Sequence, residues 1–351
     1  MTDSIDPGIH KILETFFPDF HLQEEPERLA GGNLNFVWRI KGKLASYIVK
    51  KAPPFIATSP EIPMNPDRIQ FEANILQRLE KYGRFDSIDH PSVRAPHLIA
   101  CDETNHILIM EDAGDGPDLH EKLKQGESVS DDIRKLGSFI GRLHRVTNED
   151  EMLFPEFNNK SIQETRNQVQ YQSIGTWFKN AGSKKWRTAG SKAESLGNTL
   201  LERGHCLVMG DLWPPSILYT NKNELRIIDW EFVHYGRPLQ DIAHFTAHLW
   251  MHGNSPASQL GSDDAQILIS EFLGAYRKNL GEVYHELIND REREFASIHF
   301  GSEIMIRAVG AFKNGYLYGK FNLEKEVIID AIRMAETFIM NPEQSLWFDE
   351  I

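Results

Sequence analysis

The sequence predicts an α+β protein with two lobes, a small N-terminal lobe made mostly of strands and a larger C-terminal lobe made mostly of helices. The 351 residues are enough for two units at the usual size of about 150 residues each. Short apolar runs separated by glycine and polar turns dominate the first part of the chain. Helical periodicity is clear in Asp131–Thr147 and again within Asp263–Met340. We place the boundary at the glycine-rich break Glu111–Pro117, which divides the chain into residues 1–112 and 113–351.

The composition is that of an ordinary globular protein, with 40% hydrophobic and 25% charged residues. A net charge of −13 argues against binding to nucleic acid or to an anionic membrane, and it would tolerate or attract a cationic small substrate. Cys101 and Cys206 lie far apart, which predicts neither a disulfide framework nor a thiolate zinc site. We expect a reducing cytoplasm, no export signal and no membrane span, and a homodimer remains open.

The first candidate for ligand binding is the segment Leu29–Ile40, which is typical of a strand, a glycine turn and a second strand. The pair Gly31 and Gly32 would let the backbone approach a phosphate closely. An ordinary hairpin is the alternative interpretation.

The strand Ser46–Ala52 carries a lysine, Lys50, in its interior. Such a lysine often reaches solvent at a strand edge. The functional alternative is that Lys50 contacts nucleotide phosphates while a carboxylate on a helix holds it in place. Since the pattern of Arg68–Leu79 is helical and includes Glu72, we predict that Lys50 pairs with Glu72.

Two further strands, Leu98–Cys101 and His106–Met110, lead into the polar break. Backbone groups from Glu111 to Ala113 are candidates for hydrogen bonds to an adenine ring. A plain loop is the alternative.

The main candidate for a catalytic site is the segment Leu207–Glu231, in which two short apolar strands each lead to acidic residues. The first strand runs into Asp211, and the second, Leu225–Ile228, runs into Asp229 and then Glu231. The polar turn between the strands is typical of a hairpin. We therefore expect the three carboxylates to face one another across a small site.

The charge of this constellation limits its chemistry. Two acids at positions i and i+2 after a strand are good ligands for Mg²⁺, and a third carboxylate can orient and deprotonate a hydroxyl. Phosphoryl transfer needs a metal, a positioned acceptor and a cationic cradle for the nucleotide. The alternative is that these acids only cap turns or face solvent.

The helical part begins with the amphipathic segment Asp131–Thr147. Gly137 and Gly141 would allow another element to pack closely against it, and we interpret His144 as a buried core histidine. Amphipathic helices also fill Asp263–Met340. The segment between, Phe154–Lys192, has few periodic signals and is interpreted as a substrate lid or a mobile surface excursion.

Three histidines, His244, His248 and His252, follow one another at steps of i+4 on a probable helix and invite a zinc interpretation. Each step drifts by about 40° around a helix, and no nearby acidic motif completes a tetrahedral site. Helix packing is the preferred interpretation.

The order of these parts resembles the aminoglycoside phosphotransferase and choline kinase superfamily of small-molecule kinases, which have a protein-kinase-like fold. Within it the chain is most similar to the methylthioribose kinases and the related fungal hydroxytryptamine kinases. The motifs similar to the first group are Gly32-Asn33-Leu34-Asn35, Val49-Lys50-Lys51-Ala52-Pro53, Gly210-Asp211-Leu212 and Ser216-Ile217-Leu218. Those similar to the second are Trp38-Arg39-Ile40, Asp211-Leu212-Trp213 and Asp229-Trp230-Glu231.

The resemblance implies transfer of a phosphoryl group from ATP, with Mg²⁺, to a hydroxyl of a small metabolite. By position, Asp211 would orient or deprotonate the acceptor, Asp229 and Glu231 would hold the metal, and Lys50 with Glu72 would contact the nucleotide. A methylthioribose-like acceptor is the first expectation. A hydroxytryptamine, choline or aminoglycoside acceptor is the alternative, and an inactive nucleotide-binding pseudokinase is the rival from another class.

Other site residues are implied by the resemblance. Ser216 stands where many relatives have a metal-binding asparagine, although methylthioribose kinases also have serine there. Arg307 resembles one of two adjacent arginines near the sugar in those enzymes, and Trp213 opens the loop beside the acceptor.

Overall fold

The computed structural model describes Leu13 and residues 22–29, 34–43 and 45–342. The predicted glycine pair, Gly31 and Gly32, lies outside the described residues. The strands, in chain order, are β1 (Glu27–Arg28), β2 (Phe36–Lys41), β3 (Ser46–Lys51), β4 (Phe55–Ile56), β5 (Ser59–Pro63), β6 (Val93–Arg94), β7 (Leu98–Asp102), β8 (Ile107–Glu111), β9 (Cys206–Val208), β10 (Ile217–Tyr219), β11 (Leu225–Ile227) and β12 (His234–Gly236).

The helices dominate the second part of the chain. In chain order they are α1 (Arg68–Leu79), α2 (Leu119–Lys124), α3 (Ser130–Thr147), α4 (Leu153–Glu156), α5 (Lys160–Arg166), α6 (Ile174–Asn180), α7 (Trp186–Thr199), α8 (Leu239–Gly253), α9 (Ser262–Leu280), α10 (Tyr284–Leu287), α11 (Asp290–Ala308) and α12 (Glu326–Met340). A β-rich N-terminal part and a helical C-terminal part confirm the predicted α+β fold class.

The chain forms two compact units. The first contains the described residues up to Gly116 and also Thr220–Phe232, and the second contains Pro117–Tyr219 and the described residues from Val233 onward. Asp229 and Glu231 therefore belong to the same unit as Lys50. The nucleotide-binding and acceptor-binding roles that the sequence assigns to residues 1–112 and 113–351 remain a prediction.

The first unit is built on a five-stranded sheet with the order β1-β2-β3-β8-β7, in which every neighbouring pair is antiparallel. Lys50 lies on the central strand β3, opposite Val37 on one side and Leu108 on the other. One face of the sheet is packed with apolar side chains, among them Trp38, Ile40, Val49, Ile107 and Ile109. The other strand pairs in this unit are the short hairpin of β4 with β5 and the parallel pair of β11 with β6.

In the second unit the longest helices pack in one continuous series. The α3 helix lies along α9, α9 also packs against α8, and α11 lies against both α8 and α12. Two glycines explain how closely α3 and α9 approach, because a Cβ on Gly137 would overlap the carbonyl oxygen of Phe272 and one on Gly141 would lie 2.6 Å from that of Tyr276. The predicted role of these glycines in close packing is confirmed.

The sequence expectation for Phe154–Lys192 is wrong. The segment contains α5 and α6, the π-helical turn Asn167–Tyr171 between them, and the start of α7, and it buries Tyr171 and Phe178 completely. The backbones of α6 and α7 approach closely at Gly175 and Gly190, where a Cβ on Gly190 would lie 2.8 Å from the Cα of Gly175. A packed helical layer takes the place of the expected lid.

Among the residues that the structure describes, no helix combines the length and apolar character needed to cross a bilayer. Cys101 and Cys206 are both free thiols, as the sequence predicts.

Candidate active site

The first cluster of candidate residues is centred on Lys50. Its Nζ donates to Oε1 of Glu72 at 2.8 Å and to Oδ1 of Asp229 at 2.6 Å. The predicted pair of Lys50 and Glu72 is therefore present. The backbone amide of Trp230 donates to the same Glu72 oxygen at 3.3 Å, so α1 and the residues after β11 are held by one carboxylate.

The position of Asp229 follows from the local backbone. The residue directly after Ile228 adopts a left-handed conformation with φ of 65°, which Asp tolerates better than most residues. The Asp229 side chain is 39% exposed, whereas that of Glu72 is 1% exposed. Asp229 is thus the carboxylate of this pair that a ligand from solvent can reach.

Glu231 is held by two residues that the sequence analysis did not single out. Its Oε2 accepts from Nε of Arg68 at 3.0 Å and from Nδ2 of Asn35 at 2.8 Å. Arg68 also donates to Oδ1 of Asn35 and to the backbone oxygens of Leu34, Pro53 and Asn65, each at 2.9 to 3.0 Å. Arg68 is buried at the start of α1, so Glu231 is tied to the framework of the unit.

When all three carboxylates are ionised, their charge exceeds that of Lys50 and Arg68 by one negative charge. Burial favours the neutral amine of Lys50, but the neighbouring charges of Asp229, Glu72 and Glu231 raise its pKa above the ordinary value. Burial raises the pKa of Glu72, and it raises that of Glu231 to about 7. A divalent cation would neutralise this excess, and carboxylate oxygens are the ligands that Mg²⁺ prefers. The donor set therefore fits the metal that the sequence predicts.

The predicted adenine-binding segment is at the end of β8. The amide of Glu111 donates to the carbonyl of His97 at 2.9 Å, and its carboxylate takes two bonds from Arg94 at 2.6 and 2.7 Å. Although burial opposes ionisation, these bonds lower the pKa of Glu111. The amide and carboxylate of Glu111 are thus used in hydrogen bonds within the protein. The ligand-binding roles of Glu111 and of Ala113, which is buried, remain a prediction.

The second cluster is centred on Asp211, in the second unit. The loop that carries Asp211 follows β9, which pairs antiparallel with β12. Asp241, at the start of α8, accepts from the amides of Met209 and Gly210 at 2.9 and 2.8 Å, and Gly210 has a positive φ of 82° that favours glycine. Nε2 of His144 lies 3.0 Å from Oδ2 of Asp241, the same oxygen that accepts from the Met209 amide. His144 is fully buried and hydrogen-bonded, which agrees with its predicted core role, and it helps to fix the loop.

The carboxylate of Asp211 is contacted by one arginine and one histidine. Arg166 donates from NH2 to Oδ1 of Asp211 at 3.0 Å, and Nε2 of His244 lies 3.4 Å from the same oxygen. Arg166 also reaches Nδ1 of His244 at 3.3 Å. Burial lowers the pKa of His244 well below its ordinary value, so the ring is neutral beside the carboxylate.

A chain of polar contacts runs from Arg166 to the predicted acceptor residues. Nε of Arg166 donates to Gln170 at 2.8 Å, Gln170 donates to Glu303 at 2.8 Å, and Glu303 accepts from Nε of Arg307 at 2.7 Å. The guanidinium of Arg307 lies 4.6 Å from the ring centre of Trp213. The second unit thus brings Asp211, Trp213 and Arg307 into one network.

Ser216, the remaining predicted metal ligand, ends the short 3₁₀ turn Pro214–Ser216. Its hydroxyl is fully buried and has no hydrogen-bond partner within the described part of the chain. Buried hydroxyls are normally hydrogen-bonded, so a bound group would complete its contacts.

His244, His248 and Glu303 lie close enough to hold one metal ion, within 4.8 Å of one another. Glu303, however, already accepts from Arg307 and Gln170, and Arg166 contacts His244. Two guanidinium charges beside the three donors oppose a divalent cation. His252 is turned to other partners, His120 and Ser258. We therefore retain the interpretation as a packing network.

Four supporting residues were missed from the sequence, namely Asn35, Arg68, Arg166 and Asp241. Only Asp241 had a local signal, because an acid in the first turn of a helix favours a capping or orienting role. The site carboxylates that the other three contact, Glu231 and Asp211, are distant from them in the sequence, so no spacing reveals these pairs.

The chain is similar in sequence to known kinases of small molecules. The chain is 26% identical to the 4-hydroxytryptamine kinase of Psilocybe cubensis over 273 residues, which cover 70% of this chain and 73% of that protein. It is 24% identical to the methylthioribose kinase of Exiguobacterium sibiricum over 243 residues, or 64% and 60% of the two chains.

Two solved structures share the fold. The choline kinase LicA from Streptococcus pneumoniae matches with a TM-score of 0.52 at 17% identity, over 96% of this chain and 100% of that one. The amicoumacin kinase hAmiN, in complex with AMP-PNP and Ca²⁺, matches with a TM-score of 0.53 at 17% identity, over 97% and 94%. The family model described as the phosphotransferase enzyme family matches residues 25–282, well over half of the chain. The chain belongs to the phosphotransferase enzyme family and is a small-molecule kinase.

Proposed function

We propose that the enzyme transfers the γ-phosphoryl group of ATP to a hydroxyl group of a small metabolite, with Mg²⁺. The observation that carries this proposal is the buried lysine that bridges Glu72 and Asp229 in the first unit. A strand lysine held by a helix carboxylate beside an acidic residue is the arrangement that protein kinases use on the nucleotide side of phosphoryl transfer.

Asp229 and Glu231 would hold Mg²⁺, together with Ser216, and Lys50 would contact the nucleotide phosphates. When bound, the metal neutralises charge on the phosphate oxygens. Asp229 is the leading ligand because its carboxylate is partly exposed, while Glu231 is held by Arg68 and Asn35.

Asp211 would act on the acceptor. The acceptor oxygen forms a bond to the γ-phosphorus, and the bond from that phosphorus to the bridging oxygen of ADP breaks. ADP leaves with the electron pair of that bond, and the hydroxyl proton passes to Asp211. Arg166 and the loop-fixing contacts of Asp241 support this role, because they hold the carboxylate in one orientation.

The acceptor is proposed from the relatives. Methylthioribose is the first candidate, and 4-hydroxytryptamine and choline follow, since kinases named for these compounds resemble this chain. We place the reaction in the reducing cytoplasm, which the two free cysteines support.

Phosphorus NMR on ATP, Mg²⁺ and a panel of alcohols, sugars and amines tests the proposal. We expect one class of hydroxyl compound to yield a phosphoester. Asp211→Asn should abolish turnover and leave nucleotide affinity within about twofold. The matched control Asp330→Asn changes an exposed acid paired with Arg333 and should keep full activity. Nucleotide binding with no product from any acceptor would indicate a pseudokinase instead.

A further inference from the structure

The guanidinium of Arg307 lies inside an aromatic cage formed by Trp213, Phe312 and Tyr316. Its central carbon is 4.6, 5.2 and 5.4 Å from the three ring centres. Aromatic faces at such distances attract cations and are the usual recognition surface for quaternary ammonium ligands. Here the protein itself supplies the cation.

Arg307 is anchored in this cage by a buried carboxylate. Glu303 is 1% exposed and accepts from Nε of Arg307 at 2.7 Å, while its other oxygen accepts from Gln170 at 2.8 Å. Burial opposes ionisation of both groups, but their mutual attraction raises the pKa of Arg307 and helps to lower that of Glu303. The cation is therefore permanent and cannot leave without exposing an unpaired buried charge.

The cage belongs to the same network as Asp211. Trp213 follows Asp211 by two positions, and Arg166 links the Asp211 carboxylate through Gln170 to Glu303. The side chain of Arg307 is 11% exposed and Phe312 is 39% exposed, so part of the cage reaches solvent.

We propose that Arg307 fills the cage as a built-in cation, excludes organic cations from it, and restricts the acceptor to an uncharged or anionic alcohol. This inference rests on the proposed function and deepens it. A guanidinium donates hydrogen bonds but accepts none, so it suits hydroxyl, carboxylate or phosphate oxygens and repels an ammonium group. The filled cage thus opposes the long-range attraction of cations by a protein of net charge −13.

Binding of tetramethylammonium tests the cage without any turnover. Titrations followed by calorimetry and tryptophan fluorescence would compare wild type, Arg307→Ala, Arg307→Lys and the exposed control Arg333→Ala. We expect Arg307→Ala to bind tetramethylammonium at least tenfold more tightly than wild type does. The variant would leave the three aromatic rings and the Glu303 carboxylate free to contact the added cation. The lysine variant and the control should behave like wild type. The proposal would be overturned if wild type bound tetramethylammonium as tightly as Arg307→Ala does, or if a folded Arg307→Ala variant showed no gain in affinity for it.

A second measurement uses wild type alone and decides the question even if the alanine variant does not fold. Choline is compared as phosphoryl acceptor with its uncharged isostere, in which a tert-butyl group replaces trimethylammonium. We expect kcat/KM to be at least tenfold higher for the uncharged alcohol, and a preference for choline would contradict the inference. If no alcohol in any panel is phosphorylated, the proposed function fails. The binding assay still tests the cage in that case, because saturable binding of tetramethylammonium by wild type would contradict a cage filled by Arg307.

Discussion

Arg166 orients the carboxylate of Asp211. The NH2 group of Arg166 bonds to the carboxylate at 3.0 Å, and the same guanidinium is fixed through Nε by Gln170 at 2.8 Å. Both residues belong to α5 and the π-helical turn that follows it, and π turns often occur at functional sites. A charged hydrogen bond of this kind sets the direction in which a carboxylate points.

Replacing Arg166 should therefore affect catalysis more than binding. We expect Arg166→Gln to lower kcat by about 10- to 100-fold, because a catalytic group displaced by about 1 Å loses rate on this scale. The nucleotide Kd should change by less than about twofold, since Arg166 and Lys50 belong to different compact units. Steady-state kinetics with an acceptor from the panel and nucleotide titrations provide the two readouts, and Arg166→Lys should recover part of the rate. An unchanged kcat would show that Asp211 does not depend on Arg166.

A single sequence predicts a contact between two side chains when each of them lies on an element with a clear hydrophobic pattern. Lys50 and Glu72 were found because one is in the interior of an apolar strand and the other is on a clearly periodic helix. Arg166 was not found, since its partner is 45 positions away and the segment around it has weak periodicity. Burial of an arginine such as Arg68 has no signature in a single sequence.

At the scale of elements, the α3 and α9 helices depend on glycine for their close approach. The carbonyls of Phe272 and Tyr276 lie where a Cβ on Gly137 or Gly141 would project. Backbone atoms cannot rotate away as a side chain can, so the helices would have to separate. The backbone approach of α6 to α7 at Gly175 and Gly190 uses the same device.

Adding one methyl group at this interface should destabilise the enzyme. We expect Gly137→Ala to lower the free energy of unfolding by about 1 to 3 kcal/mol, as overpacking does in other cores. Gly274 provides a matched control on α9, because no described atom of another element lies within 4 Å of the position that its methyl group would take. Gly274→Ala should raise stability by about 0.5 to 1 kcal/mol through helix propensity. Urea unfolding measures both, and equal stabilities of the two variants would contradict the close spacing of these helices.

Long, strongly periodic elements were predicted closely from the sequence. The helix predicted at Arg68–Leu79 has those bounds, and the one predicted at Asp131–Thr147 begins at Ser130. The short helices α5 and α6 were missed because seven residues provide too few turns for a clear apolar stripe. Their stability comes from tertiary packing, which a single sequence does not display.

At the scale of the whole molecule, the second unit buries an unusual set of neutral imidazoles. His244, His248, His252 and His299 are fully buried, and burial lowers the pKa of each, to about 4 for His248 and to about 3 for His299. Each of these groups binds a proton less readily in the folded than in the unfolded chain. Their contribution to stability is complete above the unfolded pKa of about 6.5 and is lost as the pH falls through that value toward the folded pKa.

Acidification should therefore remove the stability that these buried histidines contribute, and substitution of His248 isolates the share of one of them. Three buried carboxylates with raised pKa values, Glu72, Glu231 and Glu292, act in the opposite direction, so the difference between variants is the clean measurement. Between pH 6 and pH 5, wild type should lose stability faster than His248→Gln by up to about 1.4 kcal/mol per pH unit, the value for one proton. His285 is exposed, and His285→Gln should keep the wild-type slope. Urea unfolding at closely spaced pH values gives these slopes, and parallel curves for wild type and His248→Gln would mean that His248 is not buried in its neutral form.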